Sequence, residues 1–177
     1  PPAAFVSKPA RWPAAVDRYR GTHSPAPNFA FELSAKKCPS QANWDLSCWR
    51  VALNGAEPIH RASEDQFLAA FAPFGLRSDV ISHAYGMSET TAKISSEHLG
   101  TPRVFENVAG HDVAGCGVTT GDTVVRIVDP DRCTAQADGV EGEIWVGGTT
   151  IASGYFGRPS LTHETFHAYT DRGEGPF

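Results

Sequence analysis

The order strand, helix, strand in residues 49–85 is the feature that most restricts what this chain can fold into. Residues 49–53 form a short, mainly apolar run that the turn pair Asn54-Gly55 ends. Apolar residues at helical spacing follow, and residues 79–85 form a second such run that leads into Gly86. Two strands joined through a helix predict a βαβ unit, and such units build parallel sheets.

The connecting helix carries its own start and stop signals. Ser63 and Gln66 have the spacing of a capping box, and Ala62 with Phe67 has the spacing of the accompanying apolar staple. Gly75 is the expected stop. The apolar residues between these signals predict one buried face, made of Phe67, Leu68, Phe71 and Phe74.

The segments before this unit are mainly helical. Residues 9–20 and residues 29–37 repeat apolar side chains at helical spacing, which predicts two helices. Residues 22–28 contain two prolines and no period, and they predict a loop.

Beyond about residue 100, glycines become frequent and the periodicity changes. The β-branched runs at residues 123–128 and 143–146 predict antiparallel strands or a partial barrel, and residues 160–168 predict a short closing helix. The expected fold is therefore α/β: a βαβ portion with a mainly parallel sheet in residues 1–100, then a β-rich partial barrel in residues 101–177. Both portions are expected to belong to one larger, truncated domain.

Charge and composition exclude several classes of function. The net charge is −5 with no dense Lys/Arg block, which argues against nucleic-acid binding. No apolar stretch reaches the roughly 20 residues of a membrane span. The four cysteines form no CxxC pair, so we expect reduced thiols in a cytoplasmic protein. The single methionine is Met87, and we expect both ends of the chain to be cuts within a longer protein.

The stretch Tyr85-Gly86-Met87-Ser88-Glu89-Thr90-Thr91 follows a predicted strand directly. Ligands of open α/β sheets bind at the carboxyl ends of strands. The tyrosine offers a flat face, the glycine a free turn and the hydroxyls donors to phosphate, while Glu89 is a hard oxygen ligand of the kind Mg²⁺ takes beside substrate phosphates. The alternative is a strand-to-helix turn in which Ser88 caps and Glu89 is a first-turn charge.

The stretch Asn54-Gly55-Ala56-Glu57-Pro58 also follows a predicted strand. Its small residues allow the backbone to lie against a planar ring and to offer amides to the edge of a base. Taken alone, this stretch is better explained as a tight turn before a helix.

Together these blocks resemble the adenylate-forming superfamily of acyl-CoA synthetases, luciferases and peptide-synthetase adenylation domains. Residues 85–89 match its YGxTE-type motif, and residues 142–146 with residues 154–159 match its GEIxVxG and GYxxxP blocks. Residues 9–12, 22–31, 45–50 and 54–58 look most like the fatty acyl-AMP ligase branch, and the resemblance covers nearly the whole chain.

The resemblance implies ATP and Mg²⁺ as cofactors and a fatty acid as substrate, activated to acyl-AMP with release of pyrophosphate. It places Gly55, Ala56 and Glu57 along the adenine, Tyr85, Gly86 and Met87 beside the nucleotide, Ser88 at the phosphates and Glu89 at the magnesium. Ser88 and Glu89 are thus the implied catalytic pair. Phe29 with its neighbour Asn28 is implied in the acyl-binding wall.

The resemblance also implies an acceptor, the phosphopantetheine of an acyl carrier protein, often in a polyketide or peptide synthase module. The family's phosphate loop, ribose-binding Asp and catalytic Lys find no match here, so this chain alone is expected to be inactive. Ser88 and the short segment 92–115 also fit an acyl-CoA synthetase that uses coenzyme A. A non-catalytic interaction module is the remaining alternative.

One pattern points elsewhere. Residues 163–167, His-Glu-Thr-Phe-His, fit the HExxH pattern of zinc metalloproteases, but only ten residues follow to supply a third ligand. The same segment coincides with the helix that follows the GYxxxP block in the ligase family. The other histidines, including His83, are expected in loops or at the surface.

Overall fold

The computed structural model describes residues 2–177, which separate into two compact units. The first unit contains the chain up to Tyr85 together with Ser96–Val118, and the second contains Gly86–Ser95 together with Thr119–Phe177. The chain therefore leaves the first unit directly after Tyr85, in the middle of the stretch that resembles the nucleotide motif. The division at about residue 100 stays a prediction.

The described residues contain five α-helices, α1–α5, at Pro2–Ser7, Arg11–Tyr19, Asn28–Lys36, Arg61–Phe71 and Pro159–Phe166, and two 3-10 helices at Ala72–Phe74 and Ser88–Thr90. Their strands β1–β10 are His23–Ala26, Val51–Asn54, Ile81–Tyr85, Ser95–Ser96, Phe105–Val108, His111–Ala114, Val118–Thr119, Val124–Asp129, Thr134–Ala135 and Glu143–Gly147. None of the helices in residues 2–177 combines the length and the apolar character that a bilayer span requires.

A parallel sheet organises the first unit. β1 pairs with β2 and β2 pairs with β3, both in parallel, and the sheet continues in the order β1-β2-β3-β4-β7. Because α4 joins β2 to β3, the predicted βαβ unit is confirmed. The loop predicted at residues 22–28 is wrong, since His23–Ala26 is the edge strand of this sheet. An edge strand tolerates Pro25, whose missing N–H interrupts fewer ladder bonds there.

The start of α4 differs from the predicted capping box. α4 begins at Arg61 after His60, so Ser63 lies inside its first turn and makes no cap. Instead, the His60 N–H donates to Asn28 Oδ1 at 3.0 Å, and Asn28 Nδ2 donates to the Ser63 hydroxyl at 3.3 Å. A side chain from α3 thus orders the helix start, which spacing within one segment cannot reveal. The predicted stop at Gly75 is confirmed, with φ +80° after the 3-10 turn.

Aromatic side chains form the centre of the first unit. Phe31, Trp49, Phe67 and Phe71 are fully buried. Phe67 lies 4.6 Å from Phe71 and 5.0 Å from Phe31, measured between ring centroids, and the Phe31 pair meets edge to face. Such inclined contacts add to the burial of apolar area. The predicted buried face of α4 is therefore confirmed at its two central phenylalanines.

Antiparallel pairing organises the second unit. β8 pairs with β10 in the register Ile127↔Ile144, and it pairs with β9 on its other side. Val128 of β8 and Val146 of β10 are the buried apolar residues of these two paired strands. Parallel sheet followed by antiparallel strands confirms the predicted fold class.

The burial of Val128 leads to a stability prediction. Val128→Ala removes two methyl groups from a site with no exposed surface, and we expect it to lower the free energy of unfolding by about 2 kcal/mol. Val124→Ala in the same strand is the matched control, because Val124 is 40% exposed and its truncation is expected to cost less than about 0.5 kcal/mol. Urea denaturation of the three proteins measures both values, and equal losses would contradict the assigned burial.

Candidate functional site

The turn after β2 lies directly against the end of β3. A Cβ built on Gly55 would sit 2.5 Å from the carbonyl oxygen of Ala84, closer than carbon and oxygen can approach. Ala56 follows with φ +68°, in the left-handed region. Because β2 and β3 are parallel neighbours, both strands deliver their carboxyl ends to this edge of the sheet. The first unit therefore places Gly55 and Ala56 beside the strand that ends at Tyr85.

We expect Gly55→Ala to lower the free energy of unfolding by about 1–3 kcal/mol, since the added methyl group must displace the backbone of Ala84. Gly21→Ala is the control in the same unit. Its Cβ would find ordinary contacts at 3.7 Å or more, and its φ is not positive, so little change is expected. Thermal or urea unfolding decides, and a Gly55→Ala protein as stable as the control would rule out the close approach.

Glu57 joins this turn to α3. The backbone N–H of Phe29 donates to Glu57 Oε1 at 2.5 Å. The Phe29 ring is 44% exposed and meets Phe5 edge to face at a centroid distance of 6.0 Å. The residues assigned to the adenine and to the acyl wall are thus neighbours in the first unit. Their binding roles stay predictions.

Asn28 differs from Phe29 in being buried. Besides ordering the start of α4, its Oδ1 lies 3.5 Å from Asn54 Nδ2 at the end of β2. The amide therefore joins three elements of the first unit. A role of Asn28 in substrate binding also stays a prediction.

The stretch after β3 turns sharply at Gly86. A Cβ on Gly86 would lie 1.6 Å from the carbonyl oxygen of Ala92, so this backbone approach requires glycine. Met87 precedes the 3-10 helix Ser88–Thr90 as its N-cap residue and makes no side-chain cap. Ser88 is exposed and does not cap, which removes the purely structural explanation of that residue.

The two threonines of this stretch are used internally. The Thr90 hydroxyl donates to the Met87 carbonyl oxygen at 3.1 Å, and the Thr91 hydroxyl donates to the Thr150 carbonyl oxygen at 2.6 Å. Donation by these two hydroxyls to phosphate oxygens therefore stays a prediction. Ser88 and Thr91 are both exposed, but of the two only the Ser88 hydroxyl has no hydrogen-bond partner in residues 2–177.

Glu89 is held by a single side-chain partner. The Tyr155 hydroxyl donates to Glu89 Oε1 at 2.5 Å, and the Ala152 N–H donates to the Glu89 carbonyl oxygen at 2.8 Å. The Tyr155 hydrogen bond holds the pKa of Glu89 below its usual value, so the carboxylate is charged near neutral pH. The residue's own backbone N–H adds to this lowering of the pKa, and no second side chain of residues 2–177 donates to the carboxylate.

A cavity of about 590 Å³ in the second unit opens beside Glu89. Glu143 and Glu164 contribute carboxylates to its lining, and Trp145 and Tyr155 contribute aromatic faces. No cluster of three or more His, Cys, Asp or Glu residues within the described chain could hold a metal ion by itself. Glu89 has the hard oxygen chemistry of a magnesium ligand, but the ion would need phosphate oxygens of a nucleotide to complete its shell.

The HExxH pattern is split by the end of a helix. α5 ends at Phe166, so His167 lies beyond it, and the rings of His163 and His167 stack with their centroids 5.3 Å apart. Glu164, between them in sequence, lines the cavity beside Glu89 instead. The described residues supply no third ligand to this pair.

A buried ionic cluster in the first unit was not foreseen. His83 and Glu64 are fully buried, Glu97 is 9% exposed, and Arg103 reaches them from the segment before β5. Arg103 Nη1 donates to Glu64 Oε2 at 2.8 Å, and its Nη2 donates to the exposed Asp65 at 2.9 Å. The expectation that His83 lies in a loop or at the surface is wrong. The available signal was its place inside the apolar run of β3.

Both ring nitrogens of His83 face acceptors. Nε2 lies 3.0 Å from Glu64 Oε1, and Nδ1 lies 3.0 Å from the Gly115 carbonyl oxygen, so both nitrogens donate and the ring carries a positive charge. Burial acts to lower the pKa of His83, but the hydrogen bond and charge of Glu64 and the charge of Glu97 raise it above the usual value of 6.5. Burial likewise acts to raise the pKa of Glu64, and the hydrogen bonds from His83, Arg103 and Asn54 outweigh it.

Comparison with known proteins gives a consistent result. The family model described as AMP-binding enzyme matches residues 1–156. The medium-chain-fatty-acid–[acyl-carrier-protein] ligase JamA of Moorena producens is 38% identical over 200 residues, which cover 99% of this chain and 34% of JamA. The long-chain-fatty-acid–AMP ligase FadD23 of Mycobacterium tuberculosis is 35% identical, covering 93% of this chain and 31% of its own length.

Solved structures agree with these relatives. A fatty acid AMP ligase from Legionella pneumophila superposes with a TM-score of 0.91 at 27% identity, covering 98% of this chain and 33% of that one. A fatty acyl-adenylate ligase from L. pneumophila in complex with acyl adenylate and pyrophosphate gives a TM-score of 0.90 at 26% identity, covering 97% and 33%. The chain spans about a third of the length of the curated relatives it matches.

Proposed function

Because this chain belongs to the family of AMP-binding enzymes, we propose that it contributes to a ligase that activates a fatty acid with ATP. In this reaction a carboxylate oxygen of the fatty acid bonds to the α-phosphorus of ATP, and the bond between the α-phosphorus and the bridging oxygen breaks. Pyrophosphate leaves with that oxygen, and acyl-AMP remains. The protein's task is to position the two reactants and to stabilise the charge that develops on phosphate.

The observation that carries this proposal is the arrangement at the ends of β2 and β3. Gly55 and Ala56 turn directly beside Ala84 at the end of β3, and we propose that the backbone amides and carbonyls of this turn meet the edge of a purine. Tyr85 ends β3, and the next residues present the exposed hydroxyl of Ser88 and the charged carboxylate of Glu89. We assign Gly55, Ala56 and Glu57 to the adenine, Tyr85, Gly86 and Met87 to the nucleotide's flank, and Ser88 to the phosphates.

Magnesium fits the residues present. Glu89 offers an oxygen without a side-chain donor, and the absence of a complete ligand cluster in the described residues suits an ion that arrives with nucleotide phosphates. When bound, the ion would neutralise the phosphate charge that opposes attack by a carboxylate. The remaining work belongs to the chain: Glu89 anchors the ion, and the exposed Ser88 hydroxyl donates to phosphate oxygen.

The acceptor of the acyl group is proposed to be the phosphopantetheine thiol of an acyl carrier protein. JamA and the ligase TtuA of Teredinibacter turnerae carry that acceptor in their names, and an adenylation domain of a peptide-synthetase module shares the fold with a TM-score of 0.82. A polyketide or peptide synthase module is therefore the expected partner. Coenzyme A is the alternative acceptor, because a relative 36% identical is named a putative fatty-acid–CoA ligase.

The cytoplasm is the proposed location. ATP is available there, and all four cysteines of the chain are free thiols, as a reducing compartment requires.

Pyrophosphate–ATP exchange tests the proposal directly. The ligase that contains this chain is expected to exchange labelled pyrophosphate into ATP only when a medium- or long-chain fatty acid is present. Exchange that is absent with every fatty acid would contradict the ligase and favour a non-catalytic interaction module. Offering coenzyme A and a phosphopantetheinylated carrier in parallel then identifies the acceptor, and acyl-CoA as the main product would select the alternative.

A further inference from the structure

We propose that Tyr155 is a positioning residue for Glu89, holding one carboxylate oxygen so that the other stays free for the magnesium of a bound nucleotide. This inference rests on the proposed function. It adds a residue to which the assignments above give no role. It also connects the GYxxxP segment, residues 154–159, with magnesium binding by the motif at residues 85–89.

The contact between the two residues is direct. The Tyr155 hydroxyl donates to Glu89 Oε1 at 2.5 Å, and Oε2 has no side-chain donor in residues 2–177. A magnesium ion demands near-octahedral geometry, which a carboxylate satisfies best through a single oxygen. Because the hydroxyl occupies one lone pair of Oε1, Oε2 is the oxygen that a cation can approach without crowding the Tyr155 hydroxyl. The hydrogen bond therefore selects both the oxygen and its direction.

Tyr155 is fixed from its own side. Its N–H donates to the Thr162 hydroxyl of α5 at 2.9 Å, and its ring meets Phe166 edge to face at a centroid distance of 5.2 Å. The preceding Gly154 has φ +134°, and a Cβ there would lie 2.3 Å from the Thr162 side chain. The backbone thus turns at a position that only glycine suits, and the turn directs Tyr155 to Glu89.

The segment before Tyr155 is also attached to the motif. The Ala152 N–H donates to the Glu89 carbonyl oxygen at 2.8 Å, and the Thr150 carbonyl oxygen accepts the Thr91 hydroxyl at 2.6 Å. Three hydrogen bonds therefore join residues 150–155 to residues 89–91. The two contacts made by the backbone of residues 150 and 152 hold this segment against the motif independently of the Tyr155 side chain.

Two further carboxylates lie near Glu89 in the lining of the cavity. Glu143 and Glu164 line the same cavity, and no lysine or arginine belongs to its lining in the described chain. The Tyr155 hydroxyl is the side-chain donor that Glu89 has among these carboxylates in residues 2–177. Glu143 is engaged by the Trp145 indole N–H at 2.7 Å, so the Tyr155 and Trp145 side chains each hold one carboxylate of the cavity.

The variant Tyr155→Phe isolates the hydroxyl, since the ring and its contact with Phe166 remain. Tyr169→Phe is the matched control, because Tyr169 is a half-exposed tyrosine of the same unit. Glu89→Gln supplies the reference for loss of the ligand itself. The ligase that contains this chain is titrated with Mn²⁺ in the presence of ATP, and electron paramagnetic resonance measures the free Mn²⁺.

We expect Tyr155→Phe to weaken the binding of Mn²⁺ with ATP about tenfold, as the loss of one hydrogen bond to a charged group would. The Mg²⁺ concentration for half-maximal pyrophosphate exchange should rise by the same factor, and saturating Mg²⁺ should restore most of the rate. Tyr169→Phe should leave both values unchanged. Unfolding midpoints of all variants accompany the titrations.

Two outcomes would overturn the inference. If Glu89→Gln weakens Mn²⁺ binding and Tyr155→Phe does not, then Tyr155 only fills space, and a lowered unfolding midpoint in that variant would identify its role as structural. If neither variant changes Mn²⁺ binding, then Glu89 is no ligand and Tyr155 positions nothing. The ligase function is judged separately, by whether the unmutated protein exchanges pyrophosphate with a fatty acid present.

Discussion

Replacing Glu89 by glutamine is expected to lower the rate of pyrophosphate exchange about 10²- to 10³-fold in the ligase that contains this chain. Glutamine keeps the size of the side chain and can still accept the Tyr155 hydrogen bond, but it removes the negative charge that attracts the cation. The loss should appear in the maximal rate at saturating ATP and fatty acid. The Mg²⁺ concentration for half-maximal exchange should also rise, because the ion loses a charged ligand.

Glu141→Gln is the control for this substitution. Glu141 is exposed in the same unit, so the variant makes the same change of charge without touching the motif. Its exchange rate should equal that of the unmutated protein. Equal rates in all three proteins would show that Glu89 contributes nothing to the reaction, whereas equal losses in both variants would point to the overall charge.

Replacing Glu64 by glutamine is expected to lower the free energy of unfolding by about 3–5 kcal/mol. The variant leaves the imidazolium of His83 and the guanidinium of Arg103 beside a neutral amide, with His83 fully buried. A buried charge without its main partner carries a desolvation cost, which the remaining Glu97 and Asp65 offset only in part. Urea denaturation at about pH 5.5 measures the difference between variant and unmutated chain.

The loss should depend on pH in a defined direction. The pKa of His83 is raised above 6.5 in the folded chain, so its stabilisation is complete below pH 6.5 and is lost as pH rises through the folded pKa. The pKa of Glu64 is lowered below 4.5, so its stabilisation is complete above pH 4.5 and is lost as pH falls through the folded pKa. The difference between the two proteins should therefore be largest between pH 4.5 and 6.5.

Asp65→Asn provides an internal comparison. Asp65 accepts from the same guanidinium as Glu64, but 55% of its side chain is exposed, so its ion pair is screened by water. We expect this variant to change the free energy of unfolding by less than about 1 kcal/mol. If Asp65→Asn and Glu64→Gln lower the free energy of unfolding equally, then burial is not the reason that the contact of Glu64 is strong.

The elements of the fold were predictable wherever their signal is local. The apolar runs of β2 and β3 and the phenylalanines of α4 follow periods that one segment contains, so the βαβ unit could be read from spacing. The edge strand His23–Ala26 could not, because its pairing with Val51–Asn54 depends on residues 28 positions away and its proline argues against a strand. Non-local pairing outweighed the local preference.

The helix start at Arg61 shows the same limit. Ser63 and Gln66 have capping-box spacing, but Asn28 from α3 supplies the hydrogen bonds to that end of α4. Burial of His83 was missed for a related reason. Its place inside the apolar run of β3 indicated burial, but the partners that satisfy its ring, Glu64 and Gly115, lie 19 and 32 residues away.

The candidate site was predictable in its motifs and not in its contacts. Gly86 was singled out for a turn without a Cβ clash and Gly55 for bringing backbone against a planar ring, and both stand where an added Cβ would strike neighbouring backbone. The hydroxyls of Thr90 and Thr91 were assigned to phosphate, whereas backbone carbonyls engage them. Tyr155 was part of a recognised block, but only coordinates show that its hydroxyl meets Glu89.

Hydrogen exchange in the presence of an unreactive acyl-adenylate mimic tests the central claim most directly. The claim is that this chain supplies the residues that hold the adenine and the phosphates. Slower amide exchange is expected on binding both at residues 55–57 and at residues 86–89, and residues 134–141, far from these motifs in sequence, should not change. If the mimic binds and neither stretch is protected, the assignment of the nucleotide to this chain is wrong.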